Sequence, residues 1–434
     1  MSADSDARRV LLVATTTGYQ TRSFGEAAGK LGVRLVFATD RCDQLEDPWW
    51  DQAIPVRFHD EELSVRTIVE AVKDAPLWGV LAVGDRPTVV AARAAQALGL
   101  PGNPPDAASA SRNKLETRLA LRAAGLPVPW FRSVPLACDP ASMAGDVPYP
   151  CVLKPLALSG SRGVIRADDR AEFTAAFTRI RALLHAADVR MERDRAHDSL
   201  MIESFIPGRE YAFEGLLDGG MLRPLALFDK PDPLDGPFFE ETIYVTPPVC
   251  VEAAQPALGA AVAAAARALG LRHGPVHAEC RVNPGGVFVL EVAARPIGGL
   301  CARALRFMNT DRRVPTGDNG TIALEELLLR HALREDVSVY TRDTAASGVM
   351  MIPIPRRGIY RGVDGADTAR AVAGVDDLQI TVKPDQLLVP LPEGKSYLGF
   401  IFARGPQPDV VVSALRDAHA RLRFVIDRDF PVTA

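Results

Sequence analysis

The sequence predicts a chain of mixed α/β and α+β class: an N-terminal parallel-sheet domain, a central pair of α+β subdomains and a C-terminal α+β lobe. Three observations carry that expectation. Up to Leu98, short apolar runs alternate with helical patterns, the rhythm of βαβ units and hence of a parallel sheet. Beyond Pro150 strands mix with loops and helices, with a hairpin near residue 280, the pattern of α+β units. At 434 residues the chain exceeds what one hydrophobic core organises, so several subdomains are expected. The expected units are 1–104, an α/β domain; 105–200, a small subdomain with a leading helix; 201–335, a larger subdomain; and 336–434, the C-terminal lobe.

Taken in order, Val10 to Ala14 reads as a strand, Phe24 to Leu31 as a helix, Val33 to Ala38 and Gly79 to Val83 as strands, and Thr88 to Leu98 as a helix. Thr15 to Gly18 lies where a dinucleotide loop would, but the GxGxxG spacing is absent, which argues against a Rossmann cofactor. Trp49 and Trp50 read as loop packing rather than pocket walls. Leu100 to Pro105 is a linker, and a helix begins near Asn113 with Glu116 placed to complete a capping box. Then come the strand Cys151 to Pro155, a Gly/Ser loop, a helix from Glu172 to His185, and the charged stretch Arg190 to Asp198, expected as an exposed loop. An Ala-rich helix covers Ala257 to Leu269. Two strands, Val276 to Val282 and Val287 to Ala293, form a hairpin through Asn283 to Gly286. Helices near Cys301 and Leu324, strands Gly348 to Ile354 and Leu398 to Ala403, and a helix from Val411 to Leu422 close the chain.

Composition excludes several classes of function. A net charge of -4, from 50 Lys+Arg against 54 Asp+Glu, makes no field for a polyanion, so no nucleic-acid partner is expected. No stretch reaches the roughly 20 consecutive apolar residues of a membrane span. The acidic start lacks a signal-peptide pattern, so a soluble, cytoplasmic protein is expected. The cysteines at 42, 138, 151, 250, 280 and 301 contain no CxxC pair, which favours buried free thiols over zinc or disulfides.

The sharpest chemical signal is the hairpin. Side chains two apart on a strand share a face, so His277, Glu279 and Arg281 align on one strand and Glu291, Ala293 and Arg295 on the next. Magnesium takes one or two carboxylates plus phosphate oxygens, which Glu279 and Glu291 can supply, and Arg295 can balance charge on a transferring phosphoryl group. The competing reading is a salt-bridged, solvent-exposed sheet face. Lys154, beside the turn Ser159, Gly160, Ser161, Arg162, Gly163, offers a cation next to backbone N–H groups able to hold phosphate; a solvated lysine and a plain turn are the alternatives. Glu203 sits in an apolar run and needs a donor, either an adenine amino group, a lysine or a structural ion-pair partner.

In this order the pieces resemble the ATP-grasp superfamily from about Asn113 to Arg330, half the chain. The resemblance implies an ATP-grasp fold after a pre-ATP-grasp domain. It puts Lys114 and Lys154 on the nucleotide phosphates, and Ser159, Gly160, Ser161 and Gly163 in the loop closing over them. Glu203 with the backbone of Ser204 and Ile206 matches the adenine hinge, and Glu210 the ribose carboxylate. Glu279 and Glu291 fall on the metal-ligand positions and Arg295 on the arginine of the reaction centre. One position departs: the family motif reads Glu-x-Asn, and Ala293 stands in place of the Asn.

Within the superfamily, His277-Ala278-Glu279, Asp229-Lys230-Pro231, Arg295 with Gly298-Gly299, and the tail from Gly348 through Tyr397 to Gly405 look most like L-amino-acid ligases. That resemblance implies ATP and Mg2+, with Mn2+ as a substitute, and a small carboxylate, an amino acid, joined to an amine through an acyl phosphate with release of ADP and phosphate. His277 and Arg295 then belong to the substrate side. Gly298 and Gly299 would begin a helix whose N–H groups hold the substrate carboxylate or its phosphate, and Glu241 would meet the substrate ammonium. A homodimer stays open. So do three other readings: a carboxylase, although no Met-Lys-Met biotinylation site is present; a phosphotransferase; and a non-catalytic nucleotide-binding homologue, favoured only by Ala293.

Overall fold

In the N-terminal region of the computed structural model, four parallel strands stand in the order Ile54–Pro55, Arg34–Thr39, Arg9–Ala14, Gly79–Val83. The structure describes residues 8–16, 20–41, 53–249, 254–310 and 320–429. Thr17, Gly18, Trp49, Trp50, Cys42 and Cys250 lie outside them. The central strand is apolar beyond its first residue because helices Thr21–Leu31, Glu61–Val72 and Pro87–Ala97 cover both sheet faces. Its loops at the carboxyl ends, Thr15 and Gly84 to Arg86, reach the large cavity described below.

The linker is shorter than expected, since Pro105 opens a helix, Pro105–Arg112, with proline at its first turn. Asn113 then caps the helix Lys114–Ala123 by accepting from the N–H groups of Leu115 and Glu116. The reciprocal half of the expected capping box is replaced: the Asn113 N–H donates to the Ala110 carbonyl. Both helices pack on the helix Ala254–Leu269, and Ala107 and Leu121 share its core with Leu258 and Val262. The leading helix therefore sits on the larger subdomain rather than with the small one.

The small subdomain is an antiparallel sheet in the order Phe131–Pro135, Ser199–Ser204, Cys151–Pro155, Ile165–Ala167. Helix Arg170–Leu184 buries Phe173, Phe177 and Ile180 against it. The strand Ser199–Ser204 crosses the boundary expected at residue 200. Before it, Arg190 to Asp198 is mostly exposed, but a short turn buries His197 against Glu192.

Eight antiparallel strands make the large sheet, in the order Gly286–Ala293, Gly274–Asn283, Arg209–Asp218, Met221–Asp229, Ile243–Thr246, Ala346–Ile352, Gly399–Gly405, Val375–Ile380. The boundary expected at residue 335 thus cuts through the large sheet, whose strands come from both sides of it. Without Ala346–Ile352, which is buried along its whole length, Ile243–Thr246 would be an open edge. The C-terminal segment completes the central sheet and covers it with helix Pro408–Ala420, leaving Gly358–Asp364, Leu387–Leu388 and Arg423–Asp427 as a small outlying sheet. Cys151, Cys280 and Cys301 are buried free thiols and Cys138 is half-buried. Among the described residues no helix is long and apolar enough to cross a membrane.

Candidate active site

Three strands of the large sheet set one row of polar side chains. Along Arg209–Asp218, the alternation rule puts Glu210, Ala212 and Glu214 on one face, paired across the ladder with Arg281, Glu279 and His277. On the next strand Glu291 stands opposite Glu279 and Ala293 opposite His277. A bulge follows, because Cys280 pairs with Val289 and leaves Leu290 as the extra residue. The small subdomain faces this row, so Glu214, His277 and Arg281 are all buried and the exposed salt-bridge reading fails. Between them lies a cavity of about 430 Å³. That volume suits a ligand of nucleotide size.

On the small-subdomain side the cavity is bounded by cations. Lys154 is only 7% exposed, which rules out the solvated-lysine reading. Its ammonium bonds Glu203, and Glu203 also accepts from Arg118 Nε at 2.9 Å. Arg118 then donates to the carbonyls of Val289 and Leu290 at 3.0 and 3.1 Å, where the bulge has freed backbone groups from the ladder. Burial would raise the Glu203 carboxyl, yet Arg118 and Lys154 hold it at about 2. Burial also pulls Lys154 down to about 8, against the opposing pull of Glu203. Lys114 Nζ donates to the Leu158 carbonyl at 2.7 Å and lies 3.6 Å from Glu291.

The opposite wall is acidic. Lys230 Nζ sits among three carboxylates, 2.7 Å from Glu210, 2.6 Å from Glu241 and 2.9 Å from Glu279. Glu210 Oε2 also accepts from Arg281 Nε at 2.9 Å. Burial and the nearby Glu279 raise the Glu241 carboxyl to about 7, with Lys230 opposing. Glu279 moves the other way: burial would raise it, but Lys230 and His277 hold it well below the usual range. His277 Nδ1 bonds Glu214 at 2.5 Å, and that carboxylate overcomes burial to raise the imidazole to about 9. Glu214 is held in turn by the Ile297 N–H at 3.1 Å.

Arg295 is clamped by the N-terminal domain. Its Nε and Nη2 donate to the two carboxylate oxygens of Asp85 at 2.8 and 3.2 Å, and its Nη1 to the Pro296 carbonyl at 3.0 Å. Burial would lower this guanidinium, but Asp85 keeps it firmly charged.

The structure brings Lys114, Lys154, Ser159, Gly160, Ser161, Glu203, Ile206, Glu210, Glu241, His277, Glu279, Glu291, Arg295, Gly298 and Gly299 to one cavity. Glu203 meets Lys154 and Arg118, the lysine and ion-pair partners its apolar run asked for, and still lines the cavity. Three expectations need correction. Ser204 does not line the cavity; its N–H donates to the Trp130 carbonyl, while the Ile206 carbonyl accepts from Arg281 Nη1 at 2.7 Å, and Phe205 takes the lining position between them. Gly163 also lies off the cavity: its N–H donates to Pro392, and an added Cβ would meet Pro155 at 2.8 Å. Gly298 and Gly299 precede only a four-residue 3-10 turn, Cys301–Ala304, too short to carry a helix dipole.

Sequence reasoning missed Asp85, Arg118, Glu214 and Tyr244 and gave Lys230 no role in the site. Signals existed for three of them. Asp85 follows the carboxyl end of a parallel strand, where open α/β sheets bind ligands. Arg118 is one helical turn beyond Lys114, and Glu214 shares the strand face of Glu210. Tyr244, which donates to Glu241 at 2.7 Å, carried no local signal.

Comparison with known proteins covers all three regions. Residues 147–304 match the family described as ATP-grasp domain, 25–102 the ATP-grasp N-terminal domain, and 350–427 the L-amino acid ligase C-terminal domain 2. An L-amino acid ligase from Bacillus licheniformis superposes with a TM-score of 0.80 and 26% identity, over 97% of this chain and 99% of its own. Carnosine synthase 1 of Gallus gallus is 31% identical over 323 residues, 69% of this chain and 33% of that protein. An alanine–anticapsin ligase of Bacillus subtilis is 26% identical over 299 residues, 64% of this chain and 62% of that protein. The chain thus spans less than two thirds of the length of these two relatives.

Proposed function

We propose that this chain, which belongs to the ATP-grasp family and carries the C-terminal domain of L-amino acid ligases, joins an amino acid or similar small carboxylate to an amine, driven by ATP. The observation that supports this reading best is the single cavity with Lys114 and Lys154 on one side, Glu279 and Glu291 on the other, and Arg295 between the domains. In the reaction a carboxylate oxygen attacks the γ-phosphorus and ADP leaves; the amine nitrogen then attacks the acyl phosphate carbon and inorganic phosphate leaves.

The residues divide this work by charge. Lys114 and Lys154 neutralise phosphate oxygens, and Lys154, with its pKa near 8, is charged at neutral pH. Arg295, held by Asp85, keeps a fixed guanidinium against charge developing on the transferred group. Glu279 and Glu291 suit a divalent ion: they face each other across the hairpin, border the cavity, and the contacts of Glu279 to Lys230 and Tyr244 fall on Oε1, leaving Oε2 for a cation. A magnesium ion held there would add charge stabilisation for the phosphates. Ala293, opposite His277, supplies no third side-chain ligand. Ser159 to Ser161 and Gly298 to Gly299 close the cavity around the labile intermediate and limit its loss to water.

Hydroxylamine tests the reaction class. With ATP, magnesium and a panel of amino acids, trapping of a hydroxamate together with release of ADP and phosphate is expected. AMP and pyrophosphate would mean an adenylate and overturn the acyl-phosphate reading. ADP release without any hydroxamate would favour a phosphotransferase, and neither product across the panel a non-catalytic nucleotide-binding protein.

A further inference from the structure

Away from the nucleotide cavity, at the outer end of the strands that carry Glu214 and His277, three metal-ligating side chains meet. Asp218 ends Arg209–Asp218, and His273 directly precedes Gly274–Asn283, whose first residue pairs with Leu217. The two therefore extend the ladder one step outward. His331 arrives from helix Leu324–Ala332. The two imidazole centroids are 4.5 Å apart. Asp218 Oδ1 lies 3.6 Å from His273 Nδ1 and 4.0 Å from His331 Nε2, and one donor atom from each residue falls within 4.8 Å of the others.

His331 is the telling member. Only 6% of it is exposed, yet neither ring nitrogen has a hydrogen-bond partner in the protein. Burying an imidazole without partners is costly, and such a group asks for a ligand. Both rings also line a small cavity at the junction with the parallel sheet.

We propose that Asp218, His273 and His331 form a structural site for a divalent transition metal of the zinc class, independent of the nucleotide site. Two imidazole nitrogens, one carboxylate oxygen and a water make a tetrahedral set that zinc prefers, whereas magnesium favours oxygen ligands. Zinc–ligand bonds of about 2.0–2.2 Å place neighbouring donors roughly 3.4 Å apart. To close on one ion Asp218, whose side chain is 82% exposed, swings inward, and the two stacked rings turn so that one nitrogen of each points at the same centre. The metal would join the outer strand ends to helix Leu324–Ala332, whose Ala332 backbone abuts Gly79 of the parallel sheet so closely that a Cβ there would meet its carbonyl at 2.3 Å. Four residue steps along the chain, roughly 13 Å, take His273 to His277, so the site is a staple and no part of the reaction.

The test uses the full chain, stripped with chelator and titrated with zinc chloride in excess magnesium and ADP, so that the nucleotide site does not compete. Retention of one zinc ion per chain after dialysis is expected, together with a rise in thermal midpoint. Asp218→Asn and His273→Gln should each weaken zinc binding by at least ~10-fold. Because Asp218 is exposed, its variant should fold even where replacement of His331 does not. Cobalt(II) in place of zinc should show the intense visible absorption of a tetrahedral site. Failure of the wild-type chain to bind zinc at micromolar free concentration, or binding by either variant as tight as wild type, overturns the proposal.

Discussion

Two ion clusters flank the cavity, and they are built in opposite proportions. On the small-subdomain side two cations, Arg118 and Lys154, share one carboxylate, Glu203. Across the cavity three carboxylates, Glu210, Glu241 and Glu279, share two cations, Lys230 and Arg281. Neither is a self-contained stabilising pair: the first keeps a surplus cation, and the second gains a surplus negative charge as Glu241 ionises near pH 7. A positive surplus suits phosphate and a negative one suits a metal ion or an ammonium group. Complementary surpluses a ligand's width apart are what a site for a metal nucleotide and an amino acid requires.

The sharpest way to break this comparison is to remove the shared partner from the acidic cluster. Lys230→Met leaves the buried Glu210 and the half-buried Glu241 and Glu279 around an apolar chain, and the loss should be about 3 kcal/mol of unfolding free energy in urea titration. A stable variant would mean that a metal or protons already satisfy the cluster. By contrast Lys154→Ala leaves Glu203 paired with Arg118, so the fold should survive while turnover falls roughly 10²–10³-fold, read as ADP release. Normal turnover in that variant would make the cationic cluster purely structural.

Smaller effects sharpen the acidic side. Glu279→Gln and Glu291→Gln should each raise the magnesium concentration needed for half-maximal activity, and Ala293→Asn should be tolerated or lower it. An unchanged magnesium dependence in both Gln variants would move the metal elsewhere. The smallest effect concerns His277. Its pKa rises from 6.5 to about 9 on folding, so the stability it contributes is complete below pH 6.5 and is lost as pH climbs through 9. Thermal midpoints of wild type and His277→Gln should therefore converge across that window. Parallel curves would show that Glu214 does not hold the protonated ring.

Much of the fold was legible because its signals are local. The apolar strand Arg9–Ala14, the helix cap at Asn113 and the hairpin through Asn283 to Gly286 each follow from neighbours in the chain. The reach of the large sheet was not, because Ile243–Thr246 finds its partner in Ala346–Ile352 only after some hundred residues, and nothing local marks which edge a strand will cover. The same limit hid Asp85. An aspartate after Gly84 is ordinary until the domains close and Arg295 arrives from 210 positions away.

What the sequence by itself determined is the set of charged residues and the faces they occupy: alternation puts Glu210 with Glu214, and His277 with Glu279 and Arg281. The tertiary structure alone decided which charge meets which. Glu203 takes Arg118 and Lys154, Glu241 meets Lys230 and Tyr244, and Arg295 is fixed from another domain. Periodicity is a property of the local backbone, whereas the pairing of buried charges depends on solvent being excluded by elements distant in sequence, and only the closed fold excludes it.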